Sequence, residues 1–316
     1  MGTGTLKFLK WIGVLLVVAA VSLIGLLYAY VSWLPRGPEL SDPVQTPMGT
    51  SSFVMTAYET SDRRTIRVWT HRPEGWMPDN PVLFVMHGMG RNADDYLDAW
   101  AETAYAQGIL VIAPEFENRF SRYVTADYQE GNVRNVFGAM NPESEWAFTV
   151  IENIVDELNS RNDWRISEYD MFGHSAGSQF IQRMVMMKPE ARIRHAIAAN
   201  AGTYTFPNED VPYPYGLQNM PFSAAETYAT ELTILLGEND NTADQGFLEQ
   251  TDRAMAQGNF RLDRGQNLFA AAQADAEARD VPFAWRVQIV PDVGHNYRAM
   301  SDAAADLLVS LDNDPE

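Results

Sequence analysis

The sequence predicts an α/β protein: a mostly parallel central sheet of about eight strands, helices on both faces, and one apolar helix ahead of it. Three observations carry this. Short apolar runs bounded by turn residues recur along the chain, as buried strands require. Segments of helical length lie between the later runs, and strand–helix alternation implies βαβ units. The first 34 residues include a stretch without charge that is long enough to cross a bilayer. With 316 residues, 46% of them hydrophobic, the chain can build a core without covalent staples.

In chain order, Ile12 to Leu34 holds no charged residue, follows Lys7 and Lys10, and is closed by Pro35 and Arg36. Trp11, Tyr28, Tyr30 and Trp33 stand near its ends, where amphipathic rings favour the headgroup region. Residues 1–34 are therefore read as a membrane anchor, with the cationic amino end in the cytoplasm and the body outside (periplasmic or extracellular). A cleaved signal peptide, giving a secreted protein, is the alternative; its apolar region is normally shorter and ends in small residues, whereas Leu26 to Ser32 has no such pair. Residues 35–50 carry Pro35, Pro38, Pro43 and Pro47 and read as an extended tether.

Residues 51–316 form the predicted body. Strands are expected at Phe53–Tyr58, Thr65–Thr70, Val82–His87, Ile109–Ala113, Tyr169–Phe172, His195–Ala199, Leu232–Leu236 and Ala284–Val290. The first two, joined without a helix, should pair antiparallel at one edge. Helices are expected at Ala93–Gln107, Ser144–Asn159, Ala176–Met187, Arg264–Arg279 and Tyr297–Ser310. Two long connections, 117–142 and 203–227, are rich in aromatic residues, and connections of that length are usually functional or disordered. Their aromatics favour order, so they are expected to wall or partly cap a site.

Composition removes whole classes of function. There is no cysteine, which excludes thiol catalysis, Fe–S clusters and cysteine zinc sites. All 42 acidic residues lie beyond Arg36, Lys188 is the one lysine in that region, and the net charge is −19. Phosphate backbones would repel such a surface, so no nucleic-acid partner is expected. The acidic run Asp240-Asn241-Thr242-Ala243-Asp244 lacks the ligand spacing of a calcium loop. No metal or cofactor is expected.

The chemistry concentrates in four places. Gly173-His174-Ser175-Ala176-Gly177 matches G-x-S-x-G, follows an apolar run and opens a helical one, which is the strand–turn–helix setting of a nucleophile elbow. A serine hydroxyl needs a base and a group to orient that base. Of five histidines, His295 alone lies in a loop after the serine, beyond the last strand. The orienting acid should follow an intervening strand; Asp240, after Leu232–Gly237, is chosen over its neighbours Glu238 and Asp244 and over Asp292. The order Ser…Asp…His differs from that of the chymotrypsin and subtilisin types. Finally, His87-Gly88-Met89-Gly90 follows a strand where a second oxyanion donor belongs, so the Met89 and Ala176 amides are the candidate oxyanion hole. His87, Asn132, His174, Tyr204 and Tyr297 are candidate pocket residues.

Together these motifs, with Asn92 to Tyr96 after the His-Gly turn and Gly294-His295-Asn296, resemble the α/β-hydrolase-fold serine hydrolases over residues 50 to 312. The His-Gly loop followed by Asn-Ala-Asp-Asp-Tyr is similar to the polyhydroxybutyrate-depolymerase and feruloyl-esterase-like branch. The resemblance implies hydrolysis of carboxylic esters, small or oligomeric, without a metal. Peptide or amide hydrolysis and acyl transfer would use the same three side chains, and a non-catalytic interaction domain would be expected to have lost at least one of them.

Overall fold

The computed structural model describes residues 3–33, 37–42, 45–59, 61–119, 123–242 and 244–313. Helix α1, Thr3–Trp33, contains an apolar stretch, Lys7–Ala29, of mean hydropathy 2.6 with none of it buried against the protein. It is long and apolar enough to cross a membrane, which fits an anchor or a signal sequence near the amino terminus. The far end of the expected span, Leu34, and Pro35, Arg36, Pro43 and Val44 of the expected tether lie outside the described residues. The rest of that tether is strapped to the body. Ser41 and Val54 exchange hydrogen bonds, the Thr46 amide donates to Asn162 Oδ1 at 2.6 Å, and Thr65 Oγ1 donates to the Pro38 carbonyl.

The eight expected strands all form: β1 Gly49–Tyr58, β2 Ser61–Arg72, β3 Val82–Met86, β4 Leu110–Glu115, β5 Tyr169–His174, β6 Ile193–Ala199, β7 Glu231–Gly237 and β8 Arg286–Val290. They make one sheet in the order β1-β2-β4-β3-β5-β6-β7-β8. β2 is antiparallel to β1 and β4; the pairings from β4 through β8 are all parallel. β1 and β2 outrun their expected lengths because their polar ends are held by each other, from Gly49 opposite Arg72 to Tyr58 opposite Ser61.

The central strands are buried on both faces, so they read as unbroken apolar runs. On β3, Val82, Phe84 and Met86 join one core while Leu83 and Val85 join the other. The first core is completed by α4 (Ala147–Asn162), α5 (Ala176–Met187) and α8 (Arg261–Arg279). The second is completed by α2 (Ala93–Ala99), α3 (Ala101–Gln107) and α9 (Tyr297–Asn313). The helix expected over Ala93–Gln107 is thus two, stepping at Trp100, whose indole is fully buried 5.2 Å from Phe172. α4 starts three residues later than expected because Pro142 leads into a short 3-10 turn, Glu143–Glu145. Two short helices, α6 (Ala224–Ala229) and α7 (Asp252–Met255), were not anticipated.

Among the described residues, none from 117–142 or 203–227 lines the cleft at the carboxyl ends of the strands. Tyr128 stacks on Phe116 inside the core, Tyr204 is fully buried, and the Tyr213 hydroxyl donates to the Glu130 carbonyl. These three tyrosine rings turn inward, where packing or a hydrogen bond holds them, whereas Phe137 of the first stretch is exposed.

Candidate active site

Three connections converge at the carboxyl edge of the parallel strands. Ser175 joins β5 to α5 with φ 58° and ψ −112°, a left-handed backbone rare for a residue with a side chain. Two glycines make this turn possible. A Cβ at Gly177 would stand 2.1 Å from the Met86 carbonyl oxygen, and one at Gly173 would stand 2.5 Å from the Gly177 backbone. Helix α5 can therefore sit hard against β3, and the Ser175 amide is pinned to the Ala199 carbonyl at 2.9 Å.

His295, between β8 and α9, faces the serine: its Nε2 is 3.1 Å from Ser175 Oγ. Its Nδ1 lies 2.6 Å from Asp240 Oδ2 in the loop after β7. Beside the carboxylate, Nδ1 carries the proton and Nε2 is the acceptor for the serine hydroxyl. The structure thus brings Ser175, His295 and Asp240 into one hydrogen-bonded row. Asp240 is fully buried, whereas the rival Glu238 is exposed and uses its carboxylate to receive the Asp292 amide at 3.0 Å.

The loops that carry the acid and the histidine are tied to each other. Buried Asn200, just past β6, accepts from the Gly237 amide at 2.8 Å and donates to the Gly294 carbonyl at 3.2 Å. The Asn239 amide reaches the Val293 carbonyl at 2.8 Å, and the His295 amide donates to Gln245 Oε1 at 3.2 Å. Sequence reasoning missed Asn200 and Gln245, because nothing local in the sequence links 200 or 245 to 295.

An open cleft of about 290 Å3 surrounds the row, lined by Gly88 to Gly90, Asn92, Tyr96, His174, Ser175, Phe247, His295 and Tyr297. Of the expected pocket residues, His174 and Tyr297 line it and His87, Asn132 and Tyr204 do not. His87 is buried beneath the Gly88–Gly90 turn, with Nδ1 donating to the Gly88 carbonyl and Nε2 accepting from the Phe116 amide. Burial first, then the Arg91 charge, pushes its pKa down to about 3, so it is a neutral strut. Asn132 donates to the Glu145 carbonyl, and Tyr204 packs in the core.

The walls are preorganised. Tyr96 stacks on Tyr297 at 4.4 Å and its hydroxyl is 3.0 Å from His174 Nδ1. A Cβ at Gly88 would stand 2.8 Å from the same hydroxyl, so α2 packs directly against the start of the 88–90 turn. His174 lies 4.4 Å from the His295 ring; burial, with the nearby His295 and Arg261, holds it well below the ordinary histidine range. The neighbour of His295 is therefore uncharged. Met89 borders the cleft, and the Ala176 amide belongs to the first turn of α5, whose N–H groups have no intrahelical acceptor. Among the described residues, no cluster of His, Asp and Glu has a metal-holding arrangement.

No protein-family model and no curated protein sequence matches the chain. Solved structures do. A poly(aspartic acid) hydrolase from Sphingomonas sp. KT-1 is 35% identical, with a TM-score of 0.78 over 84% of this chain and all of that one. A poly(3-hydroxybutyrate) depolymerase from Bordetella parapertussis is 29% identical, with a TM-score of 0.79 over 84% of this chain and 90% of that one. An S-formylglutathione hydrolase from Agrobacterium tumefaciens, 17% identical with a TM-score of 0.50 over 84% and 96% of the two chains, shares the fold. With the first of these matched along its whole length, the chain belongs to the α/β-hydrolase-fold hydrolases, and it is similar within them to the poly(3-hydroxybutyrate) depolymerase.

Proposed function

We propose that this hydrolase cleaves carboxylic esters through an acyl-enzyme formed on Ser175. The observation that carries the reading is the row Ser175–His295–Asp240, with spacings of 3.1 and 2.6 Å, opening onto a cleft. Ser175 Oγ attacks the ester carbonyl as His295 Nε2 takes its proton, and Asp240 holds the ring and offsets the charge it gains. The Ala176 and Met89 amides receive the oxyanion; one such donor is worth about 2.7–4 kcal/mol of barrier. His295 then protonates the leaving alcohol, and water repeats the sequence on the acyl group.

The resemblance to a poly(aspartic acid) hydrolase raises a second reading, cleavage of an amide in a polyanion. The lining favours the neutral ester: no Lys or Arg stands among the cleft residues, and the chain carries −19. A polyanion would enter against that field. Lys7 and Lys10, near the amino end of α1 and ahead of its uncharged stretch from Ile12, support a body held outside the cytoplasm. A fluorophosphonate probe tests the reading directly: it labels the wild type and leaves Ser175→Ala unlabelled. Equal labelling of both would refute it.

A further inference from the structure

Asp240 uses one carboxylate oxygen for His295. The other faces Arg261, at the start of α8. Arg261 is 1% exposed, its Nη1 lies 3.1 Å from Asp240 Oδ1, and the same Nη1 donates to the Gln245 carbonyl at 3.2 Å. Its Nη2 donates to the Phe247 carbonyl at 2.5 Å. Phe247 lines the cleft together with Tyr96 and Tyr297, and Gln245 accepts from the His295 amide. One guanidinium therefore touches the acid, the backbone beside the histidine and the backbone of the wall.

We propose that Arg261 is a positioning residue of this reaction, fixing the Asp240 carboxylate and the Phe247 wall in a single register; this rests on the triad reading above. Taking a guanidinium out of water is costly unless the charge is matched and its donors are used. A loop could be anchored at lower cost by an apolar side chain. What the cation adds is a fixed charge on the far side of the acid, which stops Asp240 from turning away from His295.

Arg264, one turn further on, is the natural control. It is buried on the same helix and grips the Gly202, Glu249 and Gly258 carbonyls, without a hydrogen bond to Asp240 or Phe247. The groups facing His295 are Asp240 after β7, Arg261 on α8, His174 on β5 and the phenols of Tyr96 on α2 and Tyr297 on α9.

The test is kcat/KM of the full chain in detergent against p-nitrophenyl acetate from pH 5 to 9. In Arg261→Met, losing the cation makes the protonated imidazole easier to form, so the acid limb moves to higher pH by about one unit. Arg261→Lys keeps the charge and holds the limb, but one ammonium cannot span Asp240 and the Phe247 carbonyl together, and KM rises severalfold. Arg264→Met leaves the limb in place. If Arg261→Met does not fold, Arg261→Gln, which retains a donor, is expected to show the same shift. An acid limb coincident with wild type in the folded Met or Gln variant, or an equal shift in Arg264→Met, overturns the proposal. Fluorophosphonate labelling of wild type but not Ser175→Ala is read in parallel, so failure of the Arg261 role is distinguished from failure of the triad.

Discussion

The two ends of the sheet hold the same three residue types in nearly the same arrangement. At the carboxyl edge, buried Asp240 is flanked by His295 at 2.6 Å and Arg261 at 3.1 Å. At the amino edge, buried Asp170 is flanked by His195 at 3.1 Å and by Arg194, which reaches both its oxygens at 2.9 and 2.6 Å. Burial opposes ionisation of Asp170, yet the hydrogen bonds from His195 and Arg194 hold its carboxyl below the ordinary range. The difference lies at the second ring nitrogen. His295 Nε2 faces a serine hydroxyl, whereas His195 Nε2 faces Glu231 at 3.3 Å. An Asp–His–Arg cluster is therefore a structural tie at one edge and a candidate charge-transfer device at the other. The serine hydroxyl on its strained turn makes the distinction.

Mutation of matched positions is the way to break that comparison. The largest effect is expected at the serine and its base: Ser175→Ala and His295→Ala each lower kcat on a nitrophenyl ester by roughly 10^6-fold. His195→Ala leaves kcat/KM within about twofold of wild type, and a loss comparable to that of His295→Ala would erase the contrast. Next come the acids. Asp240→Asn lowers kcat by about 10^4 with the protein still folded, because the ring loses its orienting acceptor. Asp170→Asn instead leaves kcat nearly intact and costs about 1–3 kcal/mol in urea unfolding, because Arg194 and His195 lose a buried acceptor.

A smaller effect appears in the pH dependence of stability. His87 and His174 are held neutral by burial in the native state, whereas unfolding frees both to bind protons. The unfolded chain then binds more protons below its histidine pKa near 6.5, so stability falls as pH drops from there toward about 3, the His87 value. Each group contributes about 1.4 kcal/mol per pH unit in that window. His87→Gln should reduce the slope by one such share; an unchanged slope would mean that His87 is protonated in the folded protein. Smallest of all, Phe247→Ala, which trims the cleft wall without touching the row, should raise KM a fewfold and leave kcat nearly constant.

Much of this architecture was readable from residue order, and the failures are instructive. The central strands announced themselves because burial on both faces makes them continuously apolar, as in Val82–Met86. Ser61–Arg64 shows no such pattern in sequence, and pairing with β1 keeps that end of β2 extended. α8 begins three residues before the expected Arg264 because its first turn, Arg261-Leu262-Asp263, is mostly polar in sequence yet buries Arg261 against an acid 21 positions away. The three residues singled out by the elbow, the post-strand acid and the terminal loop histidine are the three that meet in space. Arg261, Asn200 and Gln245 could not be found that way, because each acts through a contact that only the assembled sheet creates. The aromatic stretches misled for the converse reason: their rings signal burial as readily as they signal a pocket.

The elbow carries a consequence of its own. Position 175 is presented by the close approach of Gly177 to Met86 and by the Ser175–Ala199 backbone bond, none of which involves the hydroxyl. The turn is thus a mount for whatever reactive head is fitted to it. A Ser175→Cys chain would offer a thiol to the same imidazole, and with no native cysteine it would be the protein's sole thiol, a ready handle for trapping acyl groups as isolable thioesters.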